Sequence, residues 1–242
     1  MSSGLLGTST DKTAATSPGS DGMVEWDRKQ DESRHVVARA TKRRTKVEQR
    51  EASLEKLLSA ARHLFVSKGY ASTTLEEIAA AVEMTKGSVY FYFGSKEAVL
   101  LELLNQAEQI VIDTILKLLE TSGGSATEKV VHFLHHQAQL GVTDRENMLL
   151  IILMSLEFED GPVARKTKAL YRKFYDGLNE VIREGQRMGE FRTDVPSREL
   201  VSIIVANHDG TFLEWYRRSD ELSGTKLVRA MRGIILTGLT GK

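Results

Sequence analysis

Cysteine is absent from this chain, and proline occurs only three times. Without cysteine there is no disulfide scaffold, no thiolate nucleophile and no sulfur-ligated metal. So little proline, together with long stretches free of glycine, leaves helices uninterrupted, and an all-α fold is expected. Long apolar runs are missing as well. The longest, Met148–Leu156, has nine residues, whereas a bilayer span needs about 20. The N-terminal residues lack the basic-then-apolar order of a signal peptide, and the expectation is a soluble, cytoplasmic protein with no membrane partner. There is no G-x-S-x-G, no phosphate-binding glycine loop and no H-E-x-x-H, so neither catalysis nor a cofactor is expected.

Net charge is zero over 242 residues, but its distribution is uneven. Residues 1–38 hold 4 basic and 6 acidic side chains, residues 39–100 hold 11 and 7, and residues 101–242 hold 18 and 20. Only the middle segment is net positive. Such an asymmetry points to nucleic acid. Residues 1–22 are rich in Ser, Gly, Thr and Ala without a sustained period and read as disordered. Met23 offers an alternative start. Arg43 and Arg44 belong to a basic run, Arg39–Arg50, placed to reach a neighbouring minor groove as a flexible arm or to extend the first helix.

The segment Thr74–Leu100 carries the most information. Thr74 followed by Glu77 is a capping box that starts a short helix, and Leu75, Ile78, Ala79 and Val82 form its apolar face. Thr85 N-caps a second short helix, with Lys86, Ser88, Tyr90 and Tyr92 projecting from it. A helix with short polar and cationic side chains at its start suits the DNA major groove, and Lys86 and Ser88 are expected near base edges. Tyr90 and Tyr92 are expected to donate to phosphates, and Lys96 to pair with a phosphate at a helix N-terminus. Phe91 and Phe93 alternate with these tyrosines, so part of the cluster must pack the small core.

Together with Ala60–Thr74 upstream, this segment resembles the DNA-binding domain of the TetR/AcrR family of bacterial regulators. The matching residues include Phe65, Gly69, Tyr70, Thr74, Gly87, Tyr90, Phe93, Ser95 and Lys96 over roughly residues 52–112. The chain departs at Glu83, where such sequences usually carry glycine; a left-handed backbone there would cost about 1 kcal/mol. The resemblance implies an N-terminal three-helix domain (46–96) after an extension (1–45), then a helical ligand-binding and dimerisation domain (97–242). Periodicity and capping residues also give nine helices. Ser125 with Glu128 and Thr143 with Glu146 read as further capping boxes, Pro162 as a first-turn residue, and Ser197 as a cap.

The resemblance further implies a dimeric repressor, released from a double-stranded, palindromic operator by a small-molecule effector. It places Thr74 on the DNA backbone and counts Thr85 and Gly87 with the contacting set. Ile203, Thr211, Leu227, Met231, Ile234 and Ile235 lie on the apolar stripes of the last two helices and are the candidate dimer interface. Candidate effector-lining residues are Phe133, Met154, Phe158, Tyr171, Tyr175, Asn207, His208 and Trp215, with Asn207 and His208 the polar pair that needs partners. Two other functions compete. One is a regulator of the same fold without an inducer, either an activator or a DNA-organising protein. The other is a metal-responsive regulator using Glu128, His132 and His136, spaced four apart on one helix face.

Overall fold

A computed structural model describes residues 45–241. Arg43, Arg44 and the N-terminal extension lie outside the described residues. Helix α1 (Lys46–Lys68) starts on a capping box: Glu48 N–H donates to the Thr45 hydroxyl at 3.2 Å, and Thr45 N–H donates to Glu48 Oε2 at 2.8 Å. From Glu51 onward the chain forms one compact unit. In that unit α1 buries Leu57, Leu58, Ala61 and Phe65, and Gly69 (φ +90°) turns the chain away from it.

Helix α2 (Leu75–Ala81) begins with the expected Thr74–Glu77 box. It ends in a Schellman arrangement, with Met84 N–H donating to the Ala79 carbonyl (2.9 Å) and Glu83 N–H to that of Ala80 (3.2 Å). The residue at the left-handed position is Glu83, φ +57°, the only non-glycine with positive φ among the described residues. The departure from glycine therefore carries backbone strain of about 1 kcal/mol. Helix α3 (Lys86–Phe93) is capped by Thr85, which accepts from Ser88 N–H, and it closes at Gly94. Its anchor is Val89, fully buried.

Helix α4 (Lys96–Ala107), capped by Ser95, runs without a break through a π-helical turn (Glu108–Asp113) into α5 (Thr114–Thr121). Lys166 and Lys173 both bridge to Glu108, and Lys173 also reaches Asp113, which pins the turn laterally. Then follow α6 (Ala126–Thr143), α7 (Arg145–Glu157), α8 (Gly161–Arg187), α9 (Ser197–Arg217) and α10 (Gly224–Thr240). With α4 to α5 taken as one rod, nine helices lie among the described residues, in an all-α fold. Packing is close where α8 meets the loop beyond it. A Cβ at Gly185 would lie 2.1 Å from the Phe191 ring and 2.9 Å from Ala126 Cβ.

Two caps differ from expectation. Thr143 does not cap α7, because α6 continues through it and its hydroxyl donates to the Gln139 carbonyl at 3.2 Å. Glu146 instead pairs with His63 of α1 at 2.8 Å. Ser197 is the first residue of α9 rather than its cap, following Pro196.

Candidate nucleic-acid interface and effector cavity

Burial of Val89 fixes the rotation of α3. Residues three and four further on, Tyr92 and Phe93, share its side and pack half-buried against the core. Tyr90 (45% exposed) and Phe91 (76% exposed) face outward. Tyr92, expected to project to a phosphate, is thus drawn inward by helical geometry, and Phe91 takes the outward place. The Lys86 ammonium bridges to Glu76 of α2 and lies 5.5 Å from the Tyr90 ring centroid. The hydrogen bond between them raises the Lys86 pKa and lowers that of Glu76. The Ser88 and Thr85 hydroxyls lie 2.9 Å apart, and Thr74 is engaged with Glu77. A Cβ added at Gly87 would meet only Thr85 Oγ1, at 3.8 Å. Nothing in the fold requires glycine there, so the bare backbone on this outer face leaves room for close approach from outside.

Lys96 does not point outward as expected. Its ammonium donates to the carbonyls of Tyr70 and Thr73, both at 2.8 Å, and sits 4.2 Å from the Tyr70 ring centroid. It is a clip that holds the α1–α2 loop to the start of α4. Tyr70 also packs edge-on against Phe158 at 5.1 Å, and Ala71 N–H donates to Glu157 at 3.2 Å. Burial, then the charges of Glu97 and Glu157, pushes the Tyr70 phenol pKa up. With His63–Glu146, these interactions attach the helix-turn-helix unit to both ends of α7.

Three hollows follow one another across the larger domain. A cavity of about 560 Å³ lies among α6, α9 and α10, walled by Phe212, Trp215 and Met231 and edged by His135, Arg229 and Arg232. Gln137 and His208 line both it and a small pocket of about 20 Å³. Tyr171 and Asp209 line that pocket and also a groove of about 620 Å³ between α7 and α8, reached by Phe158 and Tyr175. The expected lining residues therefore divide. His208 and Trp215 line the cavity, and Phe158, Tyr171 and Tyr175 line the groove. Phe133 and Met154 are core residues, fully covered by their neighbours. Asn207 is exposed and donates to the carbonyl of Ile203 at 2.9 Å, so its amide is satisfied within its own helix. Besides Asn147, a buried amide missed from the sequence is Gln137; the oxygens of both lack a partner. Gln137 interrupts the stripe Val130, Phe133, Leu134, Leu140 at helical spacing, and that interruption was the available signal.

The last two helices divide in the same way. Ile203 and Ile234 are outward and exposed, whereas Met231 and Ile235 are buried in the subunit's own core. Thr211 and Leu227 are half-buried at the cavity. The histidine constellation does not assemble. Glu128 is spent on the Ser125 cap, His135 lies 3.0 Å from Arg232, and no group of three metal-ligating side chains occurs among the described residues. Desolvation lowers the His136 pKa, favouring the neutral ring. No helix among the described residues is long and apolar enough to cross a membrane.

Known proteins share this architecture. Residues 57–103 match the model for bacterial regulatory proteins of the tetR family, and residues 123–239 match that for the tetracyclin repressor-like C-terminal domain. The crystal structure of the MbdR regulator from Azoarcus sp. CIB is 43% identical, with a TM-score of 0.72 over 77% of this chain and 98% of that one. The HTH-type transcriptional repressor KstR2 of Mycolicibacterium smegmatis is 26% identical over 193 residues, 77% of this chain and 90% of its own. FadR from Bacillus subtilis, solved in complex with stearoyl-CoA, shares the fold at 17% identity, with a TM-score of 0.65 over 76% of this chain and 98% of that one.

Proposed function

The chain belongs to the TetR family of bacterial regulatory proteins, and from that premise we propose that it is a dimeric, non-catalytic repressor working in the cytoplasm. It binds DNA through α3 and leaves its operator when a small molecule occupies the cavity among α6, α9 and α10. The observation that carries this reading is the outward face of α3. Lys86, Gly87 and Tyr90 are accessible there, on a helix whose opposite side is locked by Val89. A helix of this kind inserts its N-terminal residues into the major groove. The Glu76 carboxylate is a resident partner that a phosphate must displace from Lys86, so binding exchanges one ion pair for another. Two copies are held at operator spacing through the outward parts of α9 and α10, around Ile203 and Ile234.

The effector acts by preferring the arrangement that cannot bind DNA. A shift from 1:99 to 99:1 requires about 5.5 kcal/mol of differential affinity. Helix α7, tied to the helix-turn-helix unit at both ends, is the element through which occupation of the neighbouring space is transmitted. A hollow of about 560 Å³ favours this reading over an inducer-free regulator, whose domain would be filled, since small-molecule sites run from about 300 to 1,000 Å³.

The test is a gel-shift titration against the chain's own upstream region at several salt concentrations. The wild-type protein retards the fragment at low ionic strength. The double variant Lys86→Ala with Tyr90→Phe binds more weakly, and its log–log salt slope is shallower by about one for each phosphate it no longer neutralises. An unchanged affinity and slope in that variant would remove α3 from the interface.

A further inference from the structure

The outermost line of α3 carries no hydrogen-bonding side chain. Helical positions advance by roughly 100° per residue, so each residue of α3 can be placed around the axis relative to Val89, its fully buried anchor. Lys86 and Tyr90 fall at about 60° and 100° from that anchor, on the flank facing α2. There the Lys86 ammonium bridges to Glu76 and lies 5.5 Å from the Tyr90 ring centroid. Ser88 falls on the opposite flank, half-buried, with its hydroxyl 2.9 Å from that of Thr85. Gly87 and Phe91, one turn apart, fall at about 160° on either side and form the leading edge.

That edge is a bare backbone followed by a phenyl ring. A Cβ at Gly87 would meet only Thr85 Oγ1, at 3.8 Å, so the helix surface is open there. Phe91 is 76% exposed, the most exposed of the large apolar side chains among the described residues. Tyr92 braces its ring edge-on, with centroids 5.6 Å apart and planes at 74°. A ring held in water gains by being covered with apolar surface. The major groove presents hydrogen-bonding groups at every base pair but one apolar group, the 5-methyl of thymine. We propose that Phe91 is a specificity-determining residue that packs its ring on a thymine 5-methyl group in each half of the operator, with Gly87 letting the backbone approach the groove floor one turn earlier. The inference rests on α3 being the DNA-binding helix and specifies what that helix reads. Lys86 and Tyr90 set the helix on the phosphates, and Phe91 selects the base.

The experiment is a gel-shift titration of the full chain against two versions of its upstream fragment. One contains thymidine, and the other deoxyuridine at every thymidine position, which deletes the 5-methyl group and keeps every base-pairing hydrogen bond. Covering one methyl group contributes about fourfold in affinity, and two half-sites about fifteenfold. The wild type therefore binds the uracil fragment about fifteenfold more weakly. Phe91→Ala weakens binding to the thymidine fragment by a similar factor and removes most of the preference between the two. Its salt slope stays at the wild-type value, because no phosphate contact is lost. Its melting temperature stays within about 2 °C of wild type, as expected for an exposed position. Replacing one symmetric pair of thymidines at a time locates the contact at a pair to which the wild type is sensitive and Phe91→Ala is not. The proposal is overturned if Phe91→Ala keeps the preference in full, or if the wild type binds both fragments equally, the outcome for a ring that wedges between base steps. Equal retardation of both fragments refutes the methyl contact alone, whereas protein that retards neither refutes the regulator and this inference with it.

Discussion

Lys96 separates two roles that a sequence cannot tell apart, and one substitution decides between them. Lys96→Met keeps the aliphatic stem and deletes the ammonium. In the structure that ammonium makes two hydrogen bonds of 2.8 Å to the Tyr70 and Thr73 carbonyls and one cation–π interaction at 4.2 Å. Hydrogen bonds from a charged donor contribute about 1.5–3 kcal/mol each when well buried, and a partly exposed cation–π pair about 0.5–1 kcal/mol. The site is half-buried and the carbonyls regain some water on mutation, so the lower end applies, and the destabilisation is about 3 kcal/mol. For a chain of this size each kcal/mol moves the melting temperature by about 2–4 °C, so the variant melts about 6–12 °C lower. Circular dichroism melting reads the stability, and operator titration well below the transition reads binding. If Lys96 is a clip, stability falls and operator affinity at low temperature drops only slightly. A variant that melted within about 2 °C of wild type but bound its operator at least tenfold more weakly would refute the clip and restore Lys96 to the phosphate.

Relief of the strain at Glu83 should be visible in the same melts: Glu83→Gly removes about 1 kcal/mol of strain, offset in part by about 0.4–1 kcal/mol from the extra freedom of the unfolded chain, and raises the midpoint by at most about 2 °C. A lower midpoint would mean that the Glu83 side chain contributes more than its backbone costs. On the outer face of α10, Ile234→Asp gives a folded monomer by light scattering, because Ile234 is 68% exposed in the isolated subunit. Met231→Asp, one helical turn away on the inner side, instead lowers the melting temperature by burying an unpaired carboxylate. A dimer that survived Ile234→Asp would move the interface elsewhere.

The helix-turn-helix unit was legible because its rules are local. A capping box needs two residues three apart, and Thr74 with Glu77 and Ser125 with Glu128 form theirs without help from the rest of the chain. The left-handed turn at Glu83 could be located because the hydrogen-bond pattern that ends a helix fixes the position that needs it, whatever residue stands there. Elsewhere a distant group takes the place of a near one. Glu146 stands three residues after Thr143 but binds His63, 83 positions away. Lys96 has the charge of a phosphate ligand but is consumed by two carbonyls more than 20 residues upstream. The half-burial of Tyr92 follows from the burial of Val89, whose i+3 and i+4 neighbours share its side.

The effector domain resisted for a different reason. Periodicity shows that a residue is turned away from water, and both a filled core and an apolar cavity satisfy that condition. Phe133 and Trp215 are equally apolar, yet the first is buried among neighbours and the second borders open space. Met231 and Ile234 lie in one apolar stripe of α10, offset by only about 60°, yet that offset puts Met231 at its inner edge, 7% exposed, and Ile234 at its outer edge, 68% exposed. Polar residues escape this degeneracy, because burying one demands a named partner. Asn207 looked telling in an apolar helix, but it finds a carbonyl one turn back and reports nothing about a ligand. Gln137 interrupts an equally regular stripe and finds no partner for its Oε1. In a helical effector domain, then, apolar periodicity does not separate a cavity wall from a filled core, whereas buried polar residues such as Gln137 and Asn147 can be traced partner by partner.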